Sequence, residues 1–274
     1  MINLYPAKEF KFPIIAECIS PDLLQDKTRE KIEKLKIWEG NKQKNLGELF
    51  KIEEVKTENQ PDGAVIAAYG DLSKVRRVGA SMQSGAIIID GDVGTHLGEE
   101  MRGGKVIVHG NVGGWAGAMM KGGTIEVHGD AGDYLGAPYR GCSEGMHGGK
   151  IIVHGNVGVE AGAHMSKGTI RVYGVAGQFV GFRMRGGTIY VQKDCEERAG
   201  ACMTDGKIIV GGFLESVLPT FTIDSVKAKV KIEGEETAEG PFYVFLGDLV
   251  ENGDGKLYVS KEKNPHLSCY ERFL

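Results

Sequence analysis

The sequence lacks long apolar segments, paired cysteine motifs and a strong excess of charge. No apolar run approaches the ~20 residues that a membrane-spanning helix needs, and the start MINLYPAKEFKFP lacks the apolar core of a signal peptide. The five cysteines are odd in number and include no CxxC pair, which argues against a disulfide framework and against iron–sulfur ligands. A net charge of −4 offers no general attraction for nucleic acid. We therefore expect a cytoplasmic protein with no membrane and no nucleic-acid partner.

Glycine, in contrast, is abundant, because most of the 42 glycines belong to a 19-residue period that runs over residues 70–212. Each copy ends in an alternating run such as Thr124-Ile125-Glu126-Val127-His128. Such alternation is typical of a β-strand, with Ile125 and Val127 on one side and Glu126 and His128 on the other. Regularly spaced glycines would destabilise a helix by about 1 kcal/mol each relative to alanine. The period therefore predicts strands that stack copy upon copy.

Three apolar columns recur through the copies and are predicted to form the core. They are Ile87, Val106, Ile125, Ile151, Ile170, Ile189, Ile208; Ile89, Val108, Val127, Val153, Val172, Val191, Val210; and Met82, Met101, Met120, Met146, Met165, Met184, Met203. We predict an all-β fold, a right-handed parallel β-helix (β-solenoid) of about seven 19-residue turns over 70–212. Residues 1–69 would form an N-terminal capping segment with a short helix and a hairpin, and residues 213–274 a β-rich C-terminal segment.

Residues that could carry chemistry are few. The phosphate loop GxxxxGK[ST], the nucleophile motif GxSxG and the calcium-binding nonapeptide are absent from the sequence. His109, His128 and His154 occupy one outward column, but strands stack ~4.8 Å apart, so three histidines in line cannot all reach ~2.1 Å from one zinc ion. We interpret them as a surface ladder and expect no catalytic, cofactor-binding or metal-binding residue in the chain.

Two surfaces are candidates for a partner interface. The outward column between the core columns reads Ile88, Ile107, Glu126, Ile152, Arg171, Tyr190, Ile209, which is too apolar for a face left in water. The copy at 129–154 carries seven extra residues around Pro138, Tyr139 and Arg140, and tyrosine and arginine are typical interface anchors. Two alternatives remain open, because the chain's own terminal segment could cover the column and the insertion could be a plain loop. The candidate interface residues are Ile88, Ile107, Ile152, Tyr190, Ile209, Pro138, Tyr139 and Arg140.

The repeat pattern G-x-x-M-x-x-G-x-[IV]-x-[IV]-x-G occurs at 98–110, 117–129 and 162–174. It resembles the glycine-rich β-helix family that includes the C-terminal domain of the glutamate synthase large subunit. The chain length, the run LGELFKIE at 46–53 and the seven methionine-bearing copies are similar to those of the C-subunits of the tungsten or molybdenum formylmethanofuran dehydrogenases of methanogenic archaea. The seventh copy departs from the pattern, since Lys193 and Glu196 replace turn glycines.

The resemblance implies a structural subunit of an oxidoreductase. The complex would reduce CO2 with reduced ferredoxin and form N-formylmethanofuran, the first step of methanogenesis. This chain would be a non-catalytic scaffold without cofactors. Tungsten- or molybdenum-pterin, iron–sulfur clusters and zinc would lie in a metal-pterin subunit, an amidohydrolase-like subunit and ferredoxin-like subunits. The alternative is a stand-alone β-helix domain of the glutamate synthase type that acts as an interaction module.

Overall fold

The protein, described by a computed structural model over residues 1–55 and 64–274, is built mainly from β-strands. In chain order the strands are β1 (Ile2–Pro6), β2 (Ile14–Ile15), β3 (Lys36–Glu39), β4 (Lys42–Asn45), β5 (Phe50–Glu54), β6 (Val65–Tyr69), β7 (Val75–Arg76), β8 (Ala86–Asp90), β9 (Lys105–Val108), β10 (Thr124–Val127), β11 (His147–Val153), β12 (Lys167–Val172), β13 (Arg185–Val191), β14 (Asp205–Val210), β15 (Thr222–Glu233), β16 (Glu236–Gly247) and β17 (Gly255–Ser260). The strands β8 to β14 are the alternating runs of the seven sequence copies, one strand from each copy.

The helices are short. Three α-helices lie near the N-terminus, namely α1 (Pro21–Leu24), α2 (Arg29–Glu33) and α3 (Leu46–Leu49), and two 3-10 helices cover Leu249–Glu251 and Pro265–Phe273. Asn45 and Glu48 form a reciprocal capping box that satisfies backbone N–H groups at the start of α3. Among the residues that the structure describes, no helix is both long enough and apolar enough to cross a membrane.

One large sheet organises the molecule. Its order is β15-β16-β17-β14-β13-β12-β11-β10-β9-β8-β6-β1-β5, so the strands of the seven copies lie side by side in chain order. Neighbouring copies pair in parallel, with Ile125 opposite Val106 on one side and Ile151 on the other. The antiparallel strands β5, β15 and β16 come from the terminal segments. A second sheet of four strands, β4-β3-β2-β7, lies in the N-terminal part.

The predicted right-handed parallel β-helix is wrong for this chain. The strands form a 13-stranded mixed, mostly parallel sheet, with a separate four-stranded sheet and short helices beside it. Each copy contributes one strand to the large sheet. Away from that strand, successive copies are joined by a bridging residue, as in Val93–Val112 and Val112–Ala131, and by backbone hydrogen bonds between their connections, such as the one from Gly117 N–H to the Leu97 carbonyl. The 19-residue period correctly predicts which residues pair, but it cannot show that both terminal segments extend the same sheet.

The core consists of the three predicted columns. Every residue of the methionine column and of the two aliphatic columns is fully buried, with 0% exposure. The alternation in β10 is therefore confirmed, because Ile125 and Val127 point inward while Glu126 and His128 lie on the outer face. Complete burial of a leucine- or methionine-sized side chain stabilises the fold by about 1.5–3 kcal/mol, so these columns are the main source of stability.

Glycine is required at one corner of each copy. Gly117 has φ of +63°, and a Cβ placed there would lie 2.5 Å from Cδ1 of Ile151 in the next copy. An L side chain at this position would be strained twice, once by the left-handed backbone and once by the contact with the core. Gly98, Gly162 and Gly181 repeat the arrangement, each against an isoleucine Cδ1 at 2.4–2.6 Å.

The terminal segments add strands and short helices to the repeated part of the chain. The strand-like runs of the C-terminal segment form β15, β16 and β17, and β17 continues the parallel order beside β14. The N-terminal segment contains short helices and the β3–β4 hairpin, whose turn is made by Gly40 and Asn41. The division of the chain into three parts at residues 69 and 212 stays a prediction.

Candidate functional site

The outward column predicted as an interface lies across the middle of the large sheet. Strand register aligns Ile88, Ile107, Glu126 and Ile152, followed by Arg171, Tyr190 and Ile209. The first four side chains are partly exposed, and so is Tyr190. The column therefore has two parts, an uncovered apolar part on β8, β9 and β11 and a part nearer the C-terminal segment that lies under other residues.

The hairpin β15–β16 covers the second part of the column. Its inward side chains form an apolar cluster with Ile209, which is fully buried, and Tyr190 packs against the edge of that cluster; its other members are Val230, Ile232, Ala238, Phe242, Val244 and Tyr258. The assignment of Ile209 to a partner interface is thus corrected, because the chain's own C-terminal segment already buries it. Ile88, Ile107 and Ile152 remain available on the outer face.

Arg171 links the tip of this hairpin to the large sheet through hydrogen bonds and ion pairs. Its side chain is only 6% exposed and donates hydrogen bonds to Glu236 and, over 3.0 Å, to Glu233. Lys150 Nζ lies 2.8 Å from the same Glu233 carboxylate. A buried guanidinium is tolerated only when it is paired, so these contacts fix where the hairpin ends on the outer face.

The seven-residue insertion is attached to the neighbouring copies at several points. Pro138 is buried, which corrects its assignment as an exposed interface residue, whereas the Tyr139 side chain is 37% exposed. The Tyr139 hydroxyl donates a hydrogen bond to Glu99, and Arg140 donates one of 3.3 Å to Tyr134. The insertion is therefore a loop anchored on an earlier copy through Tyr139, on its own copy through Arg140, and on a later copy through the Ser143 carbonyl, which accepts a hydrogen bond from Arg185. Tyr139 and Arg140 lie at its surface.

Glu99 is the buried centre of this attachment. It is 2% exposed and lies between Tyr139 and Arg77, whose Nε is 2.9 Å from Glu99 Oε2. The short separation makes an ion pair, although the N–H direction does not meet the geometry of a hydrogen bond. Burial, together with the hydrogen bond to Glu99, raises the pKa of Tyr139 well above its usual value. Tyr139 is thus held as a neutral hydrogen-bond donor.

An aromatic stack runs beside the insertion and was not singled out from the sequence. Tyr139 stacks on His96 at 5.5 Å between ring centroids, His96 lies parallel to Trp115 at 5.4 Å, and Trp115 stacks on Tyr134 at 4.4 Å. Burial lowers the pKa of His96, which favours its neutral form in the stack. His96, Trp115 and Tyr134 occupy the same position in successive copies, so an alignment of the copies at this position would have found them.

The histidine column lies at the edge of the partly exposed surface. The ring centroids of His109 and His128 are 5.1 Å apart, as are those of His128 and His154, and Tyr173 stacks on His154 at 5.2 Å. The surface ladder predicted from the sequence is therefore present. The structure adds Glu126, whose Oε1 lies 3.3 Å from His154 Nε2 and 3.7 Å from His128 Nε2. A hydrogen bond from Lys105 is the main cause that holds the pKa of Glu126 below its usual value.

The remaining histidines and the five cysteines lie elsewhere in the chain, some at the surface and Cys195 in the core. His147 hydrogen-bonds with Ser166, its Nδ1 lying 2.9 Å from Oγ, while burial and the nearby arginines Arg183 and Arg185 lower the pKa of His164. All five cysteines are unpaired, and burial raises the pKa of Cys195 to about 12. Each of these contacts is accounted for by local packing.

Comparison with known proteins identifies the family. No protein-family model matches the chain. The C-subunit of the tungsten-containing formylmethanofuran dehydrogenase 2 of Methanococcus maripaludis is 49% identical over 262 residues, which cover 93% of this chain and 94% of that protein. The chain belongs to the C-subunit family of the formylmethanofuran dehydrogenases. The resemblance of the chain to the C-subunits of these dehydrogenases is thereby confirmed.

Two further proteins that are similar to this chain match it over different lengths. The C-subunit of the molybdenum-containing formylmethanofuran dehydrogenase 1 of Methanothermobacter marburgensis is 43% identical over 95 residues, so the match spans 35% of this chain and 23% of that protein. Among solved structures, a chain of the formyltransferase/hydrolase complex (FhcABCD) from Methylorubrum extorquens, determined with methylofuran, matches with a TM-score of 0.83 and 28% identity. That match covers 94% of this chain and 99% of the other.

Proposed function

We propose that this chain is a non-catalytic scaffold subunit of a formylmethanofuran dehydrogenase complex. The complex would reduce CO2 with electrons from reduced ferredoxin and form N-formylmethanofuran. The observation that carries the proposal is the near-complete match to a tungsten-type C-subunit. The structural match to a chain of a multisubunit formyltransferase/hydrolase complex supports it, since the two chains share a fold over almost their whole length.

The proposed partners are a metal-pterin subunit, an amidohydrolase-like subunit and ferredoxin-like subunits. In this scheme the tungsten- or molybdenum-pterin, the iron–sulfur clusters and the catalytic zinc belong to those partners. This chain would contribute two surfaces, the uncovered part of the outward column (Ile88, Ile107, Ile152) and the anchored loop with Tyr139 and Arg140. Partly exposed apolar side chains on a sheet, and a loop with a tyrosine and an arginine at its surface, each have a composition found in interfaces.

Lysine substitutions on the uncovered column test the scaffold role. Ile107→Lys combined with Ile152→Lys places two charges where a partner would have to desolvate them, while both side chains keep access to water in the lone chain. If each is a hot spot worth about 2 kcal/mol or more, each substitution should weaken association about thirtyfold or more, and the pair about a thousandfold where the two effects add. Recovery of the partner subunits with the purified chain, and formylmethanofuran-forming activity of the reconstituted complex, should both fall.

A matched substitution outside the column serves as the control. Val250→Lys likewise replaces an aliphatic side chain by lysine, at a residue of the C-terminal segment that is 73% exposed. It should leave both subunit recovery and activity unchanged, and the melting temperature of each lone variant should stay close to that of the parent chain. Full assembly and activity with the double lysine variant would show that the column is not the docking surface. Intact assembly with lost activity would contradict the scaffold role.

A further inference from the structure

Glu126, His128 and His154 bring three potential metal ligands together on the outer face of the large sheet. One ligand atom from each residue lies within 4.8 Å of the other two. We propose that these residues form a binding site for a divalent transition-metal ion, with Zn²⁺ the best-matched ion. The proposal concerns residues of this chain alone and does not depend on the scaffold role.

The separations fit a tetrahedral zinc site. Ligand atoms ~2.1 Å from a tetrahedral zinc ion lie about 3.4 Å from one another. Glu126 Oε1 is 3.3 Å from His154 Nε2 and 3.7 Å from His128 Nε2, so two edges of such a tetrahedron are already close to the required length. The ligand atoms of the two histidines lie within 4.8 Å of each other, and side-chain rotation at these histidines would close the third edge. Two imidazoles and a carboxylate form a donor set that zinc uses frequently, with water at the fourth position.

The backbone brings these residues together in a way that the sequence period alone does not reveal. Glu126 and His128 are two residues apart on and just after β10, so both lie on the outer face. Val127 pairs with Val153 in parallel register, which places His154 beside His128. Three histidines in line cannot share an ion, but two neighbours can, and the long side chain of Glu126 reaches the space between them.

The surroundings leave the ligand atoms accessible to a metal, which would replace the hydrogen bond between His154 Nε2 and Glu126 Oε1. Lys105 Nζ lies 3.1 Å from Oε2 of Glu126, so it orients the carboxylate through the oxygen that does not face the histidines. Tyr173 stacks on His154 and restricts the orientation of its ring. The side chains of His128 and His154 are 45% and 44% exposed, which gives an ion access from solvent. Partners that orient a ligand in this way strengthen metal binding.

His109 lies next to this cluster but outside it. Its Nδ1 is 3.6 Å from Asp90 Oδ1, so its nearest carboxylate lies on the far side from Glu126. Its ring contacts His128 at 5.1 Å between centroids, the same spacing as between His128 and His154. His109 therefore offers a control with the same residue type, the same column and similar exposure.

Zn²⁺ titration of the full-length, tag-free chain, freed of metal with a chelator, tests the proposal. Calorimetry should give one equivalent of bound zinc. His128→Ala, His154→Ala and Glu126→Gln should each weaken binding by about tenfold or more, since even loss of an outer partner costs about 10–100-fold. His109→Ala should bind zinc as the parent chain does. Ca²⁺, which prefers many oxygen ligands, should not compete.

Two further measurements separate this site from other zinc ligands and from misfolding. The titration is repeated after the exposed thiols have been alkylated, because the unpaired cysteines could bind zinc elsewhere. Circular dichroism and thermal melting check that each variant is folded, and zinc should raise the melting temperature of the parent and of His109→Ala but not of His154→Ala. No binding at micromolar zinc, or binding that survives both histidine substitutions or disappears on alkylation, would overturn the proposal.

Discussion

The corner glycine Gly117 gives a quantitative test of how the copies pack. In Gly117→Ala the new methyl group would occupy a left-handed backbone position at φ +63° and lie 2.5 Å from Ile151 Cδ1. The backbone strain costs about 1–2 kcal/mol, and crowding in a packed core adds about 1–3 kcal/mol. We therefore expect the free energy of unfolding to fall by about 2–5 kcal/mol.

Gly141→Ala separates the two contributions. Gly141 has φ of +87°, but no atom lies within 4 Å of the position that a Cβ would take. This substitution should therefore cost only the backbone strain of about 1–2 kcal/mol. The difference between the two alanine variants, measured by urea unfolding with unchanged m-values, reports the crowding against Ile151.

A double-mutant cycle identifies the contact. Ile151→Val removes Cδ1 and by itself should cost about 0.5–1.5 kcal/mol. If the Cδ1 contact is the cause, Gly117→Ala combined with Ile151→Val should be less destabilising than the sum of the two single changes. Additive effects, or equal losses for Gly117→Ala and Gly141→Ala, would refute close packing between copies as the cause.

Two other predictions concern the hairpin and the buried thiol. Arg171→Ala should destabilise the tip of the β15–β16 hairpin by about 1.5–3 kcal/mol, since hydrogen bonds between charged groups are lost. Amide hydrogen exchange should then rise at residues 229–238. A uniform rise over the whole sheet would contradict a local role of Arg171 at the hairpin tip. Burial raises the pKa of the Cys195 thiol from 9.0 to about 12, so its contribution to stability is present below pH 9 and is lost between pH 9 and pH 12. Cys195→Ala, which matches Ala131 and Ala176 in the same bridging column, should lose less stability between pH 9 and pH 11 than the parent. Parallel stability curves for Cys195→Ala and the parent chain would show that the thiol does not contribute.

The sequence predicts the contacts that recur with the period, and it misses the contacts made by segments outside the period. Met120 and Ile125 could be assigned to the core because their columns recur with the period and with strand parity. The sequence analysis left open that a terminal segment covers the outward column, but it could not assign that cover to Ile209, because the covering segment has no periodic relation to β14. The reach of Glu126 toward His154 was missed for a related reason, since a column alignment records side-chain direction but not side-chain length. The β-helix prediction is wrong because the repeated strands lie in one mixed, mostly parallel sheet, together with strands of the terminal segments that carry no period.

The insertion between β10 and β11 has a consequence for how such a protein can change over evolutionary time. Thr124 pairs with Lys150, 26 residues away, as it does with Lys105, 19 residues away, and the register on both sides is the same. The spacing of the strands is therefore set by their own hydrogen bonds and by core packing, and the length of a connection is free to vary. A copy can acquire new residues at its corner without disturbing its neighbours, so surface loops that recognise different assemblies can arise one at a time on an unchanged framework.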